Sequence, residues 1–272
     1  LEAVKKVTNY IDDKIEKFEK IQKWSNGVAE LKEVFGDRNK MKKFIRMRYR
    51  GFRKPFIQQL TIYATNTFPS ILKVIGRNIS KKRQDLIVEY KENGSLESFL
   101  KKSNRSSMSP TDKLIIAYGV ARAMEFLHSH KIVHRNLKPV NIMLDKKLHP
   151  FLSEFYYAKQ TQTNLPYCLQ EMTAEFMPPE FFSDYKSNQN SFKVDVYSFG
   201  VTLFILLNEM NPYADMSLAD IITGIQSGLR PVFAESVGKN WRDLINRCWN
   251  QDPKKRPSFS EIRNILESKS FL

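Results

Sequence analysis

The side chains able to do chemistry are unevenly spread. The densest run is His134-Arg135-Asn136-Leu137-Lys138-Pro139-Val140-Asn141, which gathers an imidazole, two cations and two amides in one short stretch. An amide cannot act as a general base at neutral pH, so Asn136 offers hydrogen bonds and no proton transfer. A second concentration is purely basic. Arg38, Lys40, Lys42, Lys43, Arg46, Arg48, Arg50, Arg53 and Lys54 crowd a stretch that holds no acidic residue between Asp37 and Asp85. Residues 1–90 carry 21 basic against 10 acidic side chains, so +11 of the formal +15 falls there. Such a face is either a solvated surface or one that attracts acidic partners, phosphoinositides or nucleic acid. No nucleic-acid-binding motif accompanies it. Cys168 and Cys248 are the only cysteines and lack metal-ligand spacing, which reads as two reduced thiols of a cytosolic protein.

These groups need elements to position them. Leu1, Val4, Val7, Ile11, Ile15 and Phe18 recur at helical steps and predict an amphipathic N-terminal helix. Phe44, Ile45, Met47 and Tyr49 alternate with basic residues as in a half-buried strand, and Ile71–Ile75 and Leu86–Val88 read as further strands. Phe56 to Tyr63 reads as one helix entered through Pro55. Beyond Tyr90 the pattern turns helical, over Leu114 to His128, Val194 to Leu207, Trp241 to Trp249, and Phe259 to Leu266 with Ser258 as its cap. A strand-rich first third before a helical remainder implies two lobes with a ligand cleft between them. No run of about 18 apolar residues occurs, so no membrane-spanning helix is expected.

The run at 134–141 closely resembles the catalytic loop of protein kinases, His-Arg-Asp-Leu-Lys-Pro-x-Asn. Its neighbours fall into register: Glu89-Tyr90 with Asn93-Gly94-Ser95-Leu96 as the hinge, Ser153-Glu154-Phe155-Tyr156 at the Asp-Phe-Gly motif, and Pro178-Pro179-Glu180 at the end of the activation segment. Asp195 to Gly200 and Cys248 to Pro253, closing on Arg256-Pro257, match the large lobe of tyrosine-kinase-like kinases. The resemblance covers roughly residues 18–270. It implies an α+β, bilobal kinase fold with a small β-rich N-lobe holding one main helix and a large helical C-lobe. The boundaries are an N-terminal helix at 1–17, N-lobe at 18–88, hinge at 89–92 and C-lobe at 93–270.

Phosphoryl transfer depends on positioning, metal ions and charge neutralisation, and the resemblance implies where each part should lie. The phosphate-covering loop falls on Ile21 to Gly27, where Gly27 alone of three glycines is kept and Trp24 takes the central place. A missing Cβ is what lets that backbone approach phosphate. Ile45-Arg46-Met47-Arg48 aligns with the strand motif, putting Arg48 at the phosphate-binding lysine and Arg46 at the small alanine beside adenine. A shift of two residues would make Arg46 the lysine equivalent. The glutamate that pairs with that lysine falls on Gln59, and no register on this acid-free stretch restores it. Val88, Glu89 and Met143 complete the degraded nucleotide site. Asn136 replaces the catalytic base, a loss of about 10²–10⁴-fold. Lys138, facing the terminal phosphate, and Asn141, a metal ligand, are kept. Glu154 replaces the metal-binding aspartate with a side chain one methylene longer, and Mg²⁺ is strict about geometry. Tyr156 replaces the glycine on which the segment swings. The structural parts are all present: Val74, Tyr63, Phe155, His134 and Asp195 for the hydrophobic column, and Glu180 with Arg256 for a buried ion pair.

An intact scaffold with altered machinery implies a pseudokinase, a cytoplasmic signalling scaffold or allosteric partner whose own partner is a protein such as an active kinase. No cofactor is required on this reading, and binding of ATP with Mg²⁺ or Mn²⁺ is left open. Two alternatives stand beside it. One is a weak Ser/Thr kinase transferring the ATP γ-phosphate through Lys138, Asn141 and Glu154. The other is an adaptor that holds an acidic lipid or other anion on the basic N-lobe. Thr161, Thr163, Tyr167 and Thr173 are candidate phosphate acceptors in the activation segment.

Overall fold

The computed structural model describes residues 18–19, 29–37, 42–49, 53–79, 84–102, 108–161, 173–184, 191–268 and 271. The expected helix over residues 1–17 lies outside them, as do Trp24, Gly27, Thr163 and Tyr167. Phe18, expected as the last residue of that helix, opens a strand instead.

The chain adopts the two-lobe α+β architecture. Strands β1 (Phe18–Glu19), β2 (Ala29–Asp37), β3 (Lys42–Tyr49), β4 (Val74–Ile79) and β5 (Gln84–Glu89) form an antiparallel sheet in the order β1-β2-β3-β5-β4. Leu86, Ile87 and Val88 are buried, as suits a central strand covered on both faces. Helix α1 (Arg53–Thr65) follows β3 and buries Phe56, Leu60, Ile62 and Tyr63 in the core that also holds Ile45, Met47 and Tyr49.

The strand read over Ile71–Ile75 is displaced. β4 begins at Val74, and the apolar residues before it bond to β9 (Pro150–Leu152) of the large lobe. Ile71 bridges Leu152 in parallel, Leu72 N–H donates to the Leu152 carbonyl at 2.8 Å, and Leu152 N–H donates to the Ser70 carbonyl at 2.8 Å. These bonds tie the lobes together.

In the large lobe β6 (Gly94–Ser95), β8 (Ile142–Leu144) and β9 form one small sheet, and β7 (Ile132–Val133) pairs with β10 (Lys159–Gln160). A short helix, α2 (Leu96–Leu100), leads to α3 (Pro110–Ser129), which starts at a complete capping box between Ser109 and Asp112 with Pro110 in its first turn. Its apolar face, Ile116, Val120, Ala123 and Leu127, is buried. Helix α4 (Pro179–Ser183) ends the activation segment. Helix α5 (Lys193–Asn208) is buried over most of its length, as its apolar sequence requires. Helices α6 (Leu218–Gln226), α7 (Lys239–Cys248) and α8 (Phe259–Leu266) surround it, the last capped by Ser258 with Glu261. Gly200 on α5 lies against α7: a Cβ there would sit 2.9 Å from the Cys248 Cβ and 3.2 Å from the Trp249 nitrogen. Only glycine permits that approach. Among the described residues no helix is long and apolar enough to cross a membrane.

Glu180 and Arg256 form the buried pair, with Arg256 Nη1 and Nη2 donating to the two carboxylate oxygens at 2.7 and 2.8 Å. Arg256 also donates to the Asn250 carbonyl at 2.8 Å and the Lys193 carbonyl at 3.1 Å, so one guanidinium joins α4, α5 and the turn before α8. Losing one partner strands a charge in the interior. Arg256→Ala is expected to lower stability by about 3–5 kcal/mol in urea or guanidinium unfolding, and a change under 1 kcal/mol would show the pair to be incidental.

Candidate active site

The loop at 134–141 connects β7 to β8 and hangs from α5. Asp195, wholly buried in the first turn of α5, accepts from His134 N–H at 2.8 Å, Arg135 N–H at 2.7 Å and His128 Nε2 at 2.9 Å. Burial alone would raise its pKa. The hydrogen bond and charge of His128, with help from His134, outweigh that and hold the carboxyl below its usual 3.8. Burial keeps His134 itself neutral by lowering its pKa. Its Nδ1 accepts from Asn136 N–H at 3.2 Å, which assigns the ring proton to Nε2. Asn141 closes the loop by donating Nδ2 to the Asn136 carbonyl at 2.7 Å, and its own carbonyl accepts from Ser153 N–H and Oγ at 2.9 and 3.0 Å. Lys138, 7% exposed, donates to Thr173 Oγ1 at 2.9 Å.

Glu154 follows with its backbone in the left-handed region at φ 67° and no exposed surface. Its N–H donates to the Tyr63 hydroxyl at 3.1 Å, and its Oε2 accepts from the Tyr49 hydroxyl at 3.1 Å. Phe155 meets Tyr63 edge-on at 4.7 Å and His134 at 5.0 Å between ring centroids. Tyr63, Phe155, His134 and Asp195 thus stand in one continuous column from α1 to α5. Val74 packs against the same core.

The β3 residues depart from the sequence expectation. Antiparallel pairing sets Arg46 opposite Ile87 and Arg48 opposite Asp85, on one face, and Ile45 opposite Val88 and Met47 opposite Leu86, on the other. Arg48 leaves the site and binds Asp85 through Nε at 2.9 Å and Nη2 at 3.4 Å. Arg46 is buried on that same face of β3, so neither arginine shares the face that carries Tyr49 to Glu154. The side chain that β3 sends towards Gln59 and Glu154 is Tyr49, with Met47 one pleat before it. Tyr49 contacts Phe56 at 5.3 Å and stacks on Tyr156 at 5.7 Å with the rings only 9° from parallel. Burial first, and then the Glu154 charge, push its pKa well above 10, so the hydroxyl stays protonated and donates. Tyr49 is the functional residue that motif alignment misses; the apolar alternation of Ile45, Met47 and Tyr49 carried the signal.

Gln59 is fully buried beside the Tyr49 hydroxyl, yet neither amide atom reaches a partner in good hydrogen-bond geometry among the described residues. The neighbouring Gln58 donates Nε2 to the Ala158 carbonyl at 2.8 Å, fixing α1 to the segment after Glu154. Val88 and Met143 are buried, and Glu89 is paired with Lys91 at 3.1 Å. Lys91 also lies 3.5 Å over the Phe151 ring. A cavity of about 630 Å³ lies elsewhere, lined by Tyr63, Asn66, Phe68, Leu72 and Val74. Chemistry places the site at the loop and Glu154 instead. Tyr49→Phe should cost about 1–3 kcal/mol by removing a buried donor from Glu154, whereas Gln59→Met should be neutral or stabilising because it discards an unmatched amide. Denaturant melts of the two variants check both, and equal losses would contradict this account.

The chain matches the family described as protein tyrosine and serine/threonine kinase over residues 32–266. Ankyrin repeat and protein kinase domain-containing protein 1 of Homo sapiens is 34% identical over 210 residues, 72% of this chain and 26% of that protein. RGS domain-containing serine/threonine-protein kinase A of Dictyostelium discoideum is 34% identical over 213 residues, 78% of this chain and 18% of that protein. Serine/threonine-protein kinase CTR1 of Arabidopsis thaliana is 31% identical over 216 residues, 78% of this chain and 26% of that protein. The chain therefore spans about a quarter or less of the length of these relatives. A match over most of its length, on a two-lobe fold with its loop slung from α5, means that this chain belongs to the protein kinase domain family.

Proposed function

We propose that this kinase domain transfers no phosphate and acts as a binding module for other proteins, an active kinase being the partner class that its scaffold fits best. The observation that carries the reading is the contact of Tyr49 with Glu154 and Tyr156. In the family pattern a strand lysine, paired to a helix glutamate, neutralises the phosphates, and an aspartate holds the metal. Here the same space holds a protonated tyrosine, an uncharged Gln59, and a glutamate whose Oε2 already accepts from that tyrosine. The tyrosine stack occupies volume that a triphosphate needs, and among the described side chains of β3 neither Arg46 nor Arg48 shares the face that carries Tyr49. These residues do not fit Mg²⁺–ATP. Asn136 adds an independent obstacle, since nothing at its position accepts the substrate proton. The parts that give shape, namely the column, the Asp195 anchor and the Glu180–Arg256 pair, support a rigid surface for partners.

The test is thermal melting with millimolar ATP in EDTA, Mg²⁺ and Mn²⁺. Micromolar affinity would add about 4 kcal/mol to the native state, and no measurable shift is expected under any condition. A metal-dependent shift accompanied by phosphotransfer that disappears on mutating Lys138 would establish a weak kinase instead. Restoring the base alone, Asn136→Asp, is expected to leave phosphotransfer undetectable, because Tyr49 and Gln59 remain.

A further inference from the structure

We infer that the catalytic loop is a receptor for a phosphomonoester dianion, a phosphorylated serine or threonine side chain carried by a partner protein. This rests on the non-catalytic reading above and gives it a ligand. The starting point is Asn136, which is 7% exposed. Its backbone N–H and carbonyl are bonded to His134 and Asn141, yet its Nδ2 has no hydrogen-bond partner among the described residues. A buried donor left open is destabilising unless a ligand or water completes it.

The charge around that donor selects the ligand. Residues 134–141 contain Arg135 and Lys138 and no acid. Lys138 Nζ is held 2.9 Å from Thr173 Oγ1, which brings the end of the activation segment onto the loop. The carboxylate of the cleft, Glu154, is engaged with Tyr49 through its Oε2. The loop therefore offers an amide N–H, an ammonium and a hydroxyl, all able to donate. A substrate hydroxyl needs an acceptor for its proton, and Asn136 is a poor one. A phosphorylated side chain carries about −1.5 to −2 charge and three acceptor oxygens, the complement of this donor set. An aspartate at 136 would repel it; asparagine does not. The loop that in active relatives handles the acceptor hydroxyl is here matched to the product of phosphoryl transfer by another enzyme.

The experiment measures binding to the intact protein of degenerate peptide pools centred on phosphoserine or phosphothreonine, the same pools with free hydroxyls, and inorganic phosphate. The phosphorylated pools should bind and the hydroxyl pools should not. Asn136→Asp should weaken binding about tenfold or more by like-charge repulsion, with a near-UV spectrum that shows the fold retained. Lys138→Met should abolish binding, and Asn136→Leu, which adds no charge, should weaken it by removing the donor. Inorganic phosphate binding as tightly as the peptides would overturn the assignment of a protein partner. Absence of binding, or binding indifferent to Asn136→Asp, would overturn the site. Phosphotransfer from ATP to the hydroxyl pools, run on the same preparation, separates the two readings: its presence defeats the non-catalytic one, while its absence together with no phosphopeptide binding defeats only this inference.

Discussion

A carboxylate taken wholly out of water must be met by donors, and the organisation of this domain follows from how Asp195 is met. Two consecutive backbone N–H groups, those of His134 and Arg135, point at its oxygens, with His128 as a third donor. Presenting both amides bends the chain so that Arg135 adopts φ 62°, a left-handed conformation that a non-glycine residue holds only where its surroundings enforce it. Fixing His134 sets its ring against Phe155, Phe155 against Tyr63, and the Tyr63 hydroxyl under the Glu154 N–H. The loop, the segment after it and helix α1 are therefore one assembly with the buried Asp195 carboxylate at its base.

The assembly is independent of the chemistry that it supports in active relatives. The column is made of rings and backbone groups, and none of them needs the base, the strand lysine or the helix glutamate. Substituting Asn136 for an aspartate leaves the backbone bonds of the loop in place. Substituting tyrosine and glutamine for a lysine–glutamate pair exchanges a buried ion pair for neutral groups, which removes a desolvation cost. The longer reach of Glu154 is compatible with this exchange, because its carboxylate meets the Tyr49 hydroxyl across the gap. Shape and electrostatics are separable here: the framework of the family encloses a site in which, among the described side chains of β3, Tyr49 and not an arginine meets Glu154.

Most elements were legible in the sequence because their signals are local. The cap at Ser258, the proline entry to α1 and the apolar length of α5 each depend on a few adjacent residues. The loop at 134–141 was legible as a motif. Register in β3 was the failure. Alignment by charge favoured Arg48, but a strand has a period of two, and a slip of one residue sends every side chain to the opposite face. Asp85, distant in sequence, draws Arg48 outward, and a single-strand reading could not see that partner. The apolar run at Ile71–Ile75 misled for a related reason, since Ile71 and Leu72 are apolar to lie against β9 and not to extend the sheet. At Gln59, absence of charge was legible, but the lack of a well-made hydrogen bond among the described residues was a property of the packed interior.

The close approach of α5 and α7 at Gly200 has a consequence for reactivity. Cys248 is sealed beneath that contact, and burial pushes its thiol up to about 12, against the smaller opposing effect of nearby cations. At neutral pH the thiol therefore stays protonated, whereas the thiolate is the form that alkylating agents and oxidants attack. Cys248 is thus chemically silent while the two helices remain in contact. Its modification would time-stamp their separation, so the close helix contact at Gly200 doubles as an internal reporter of when that lobe opens.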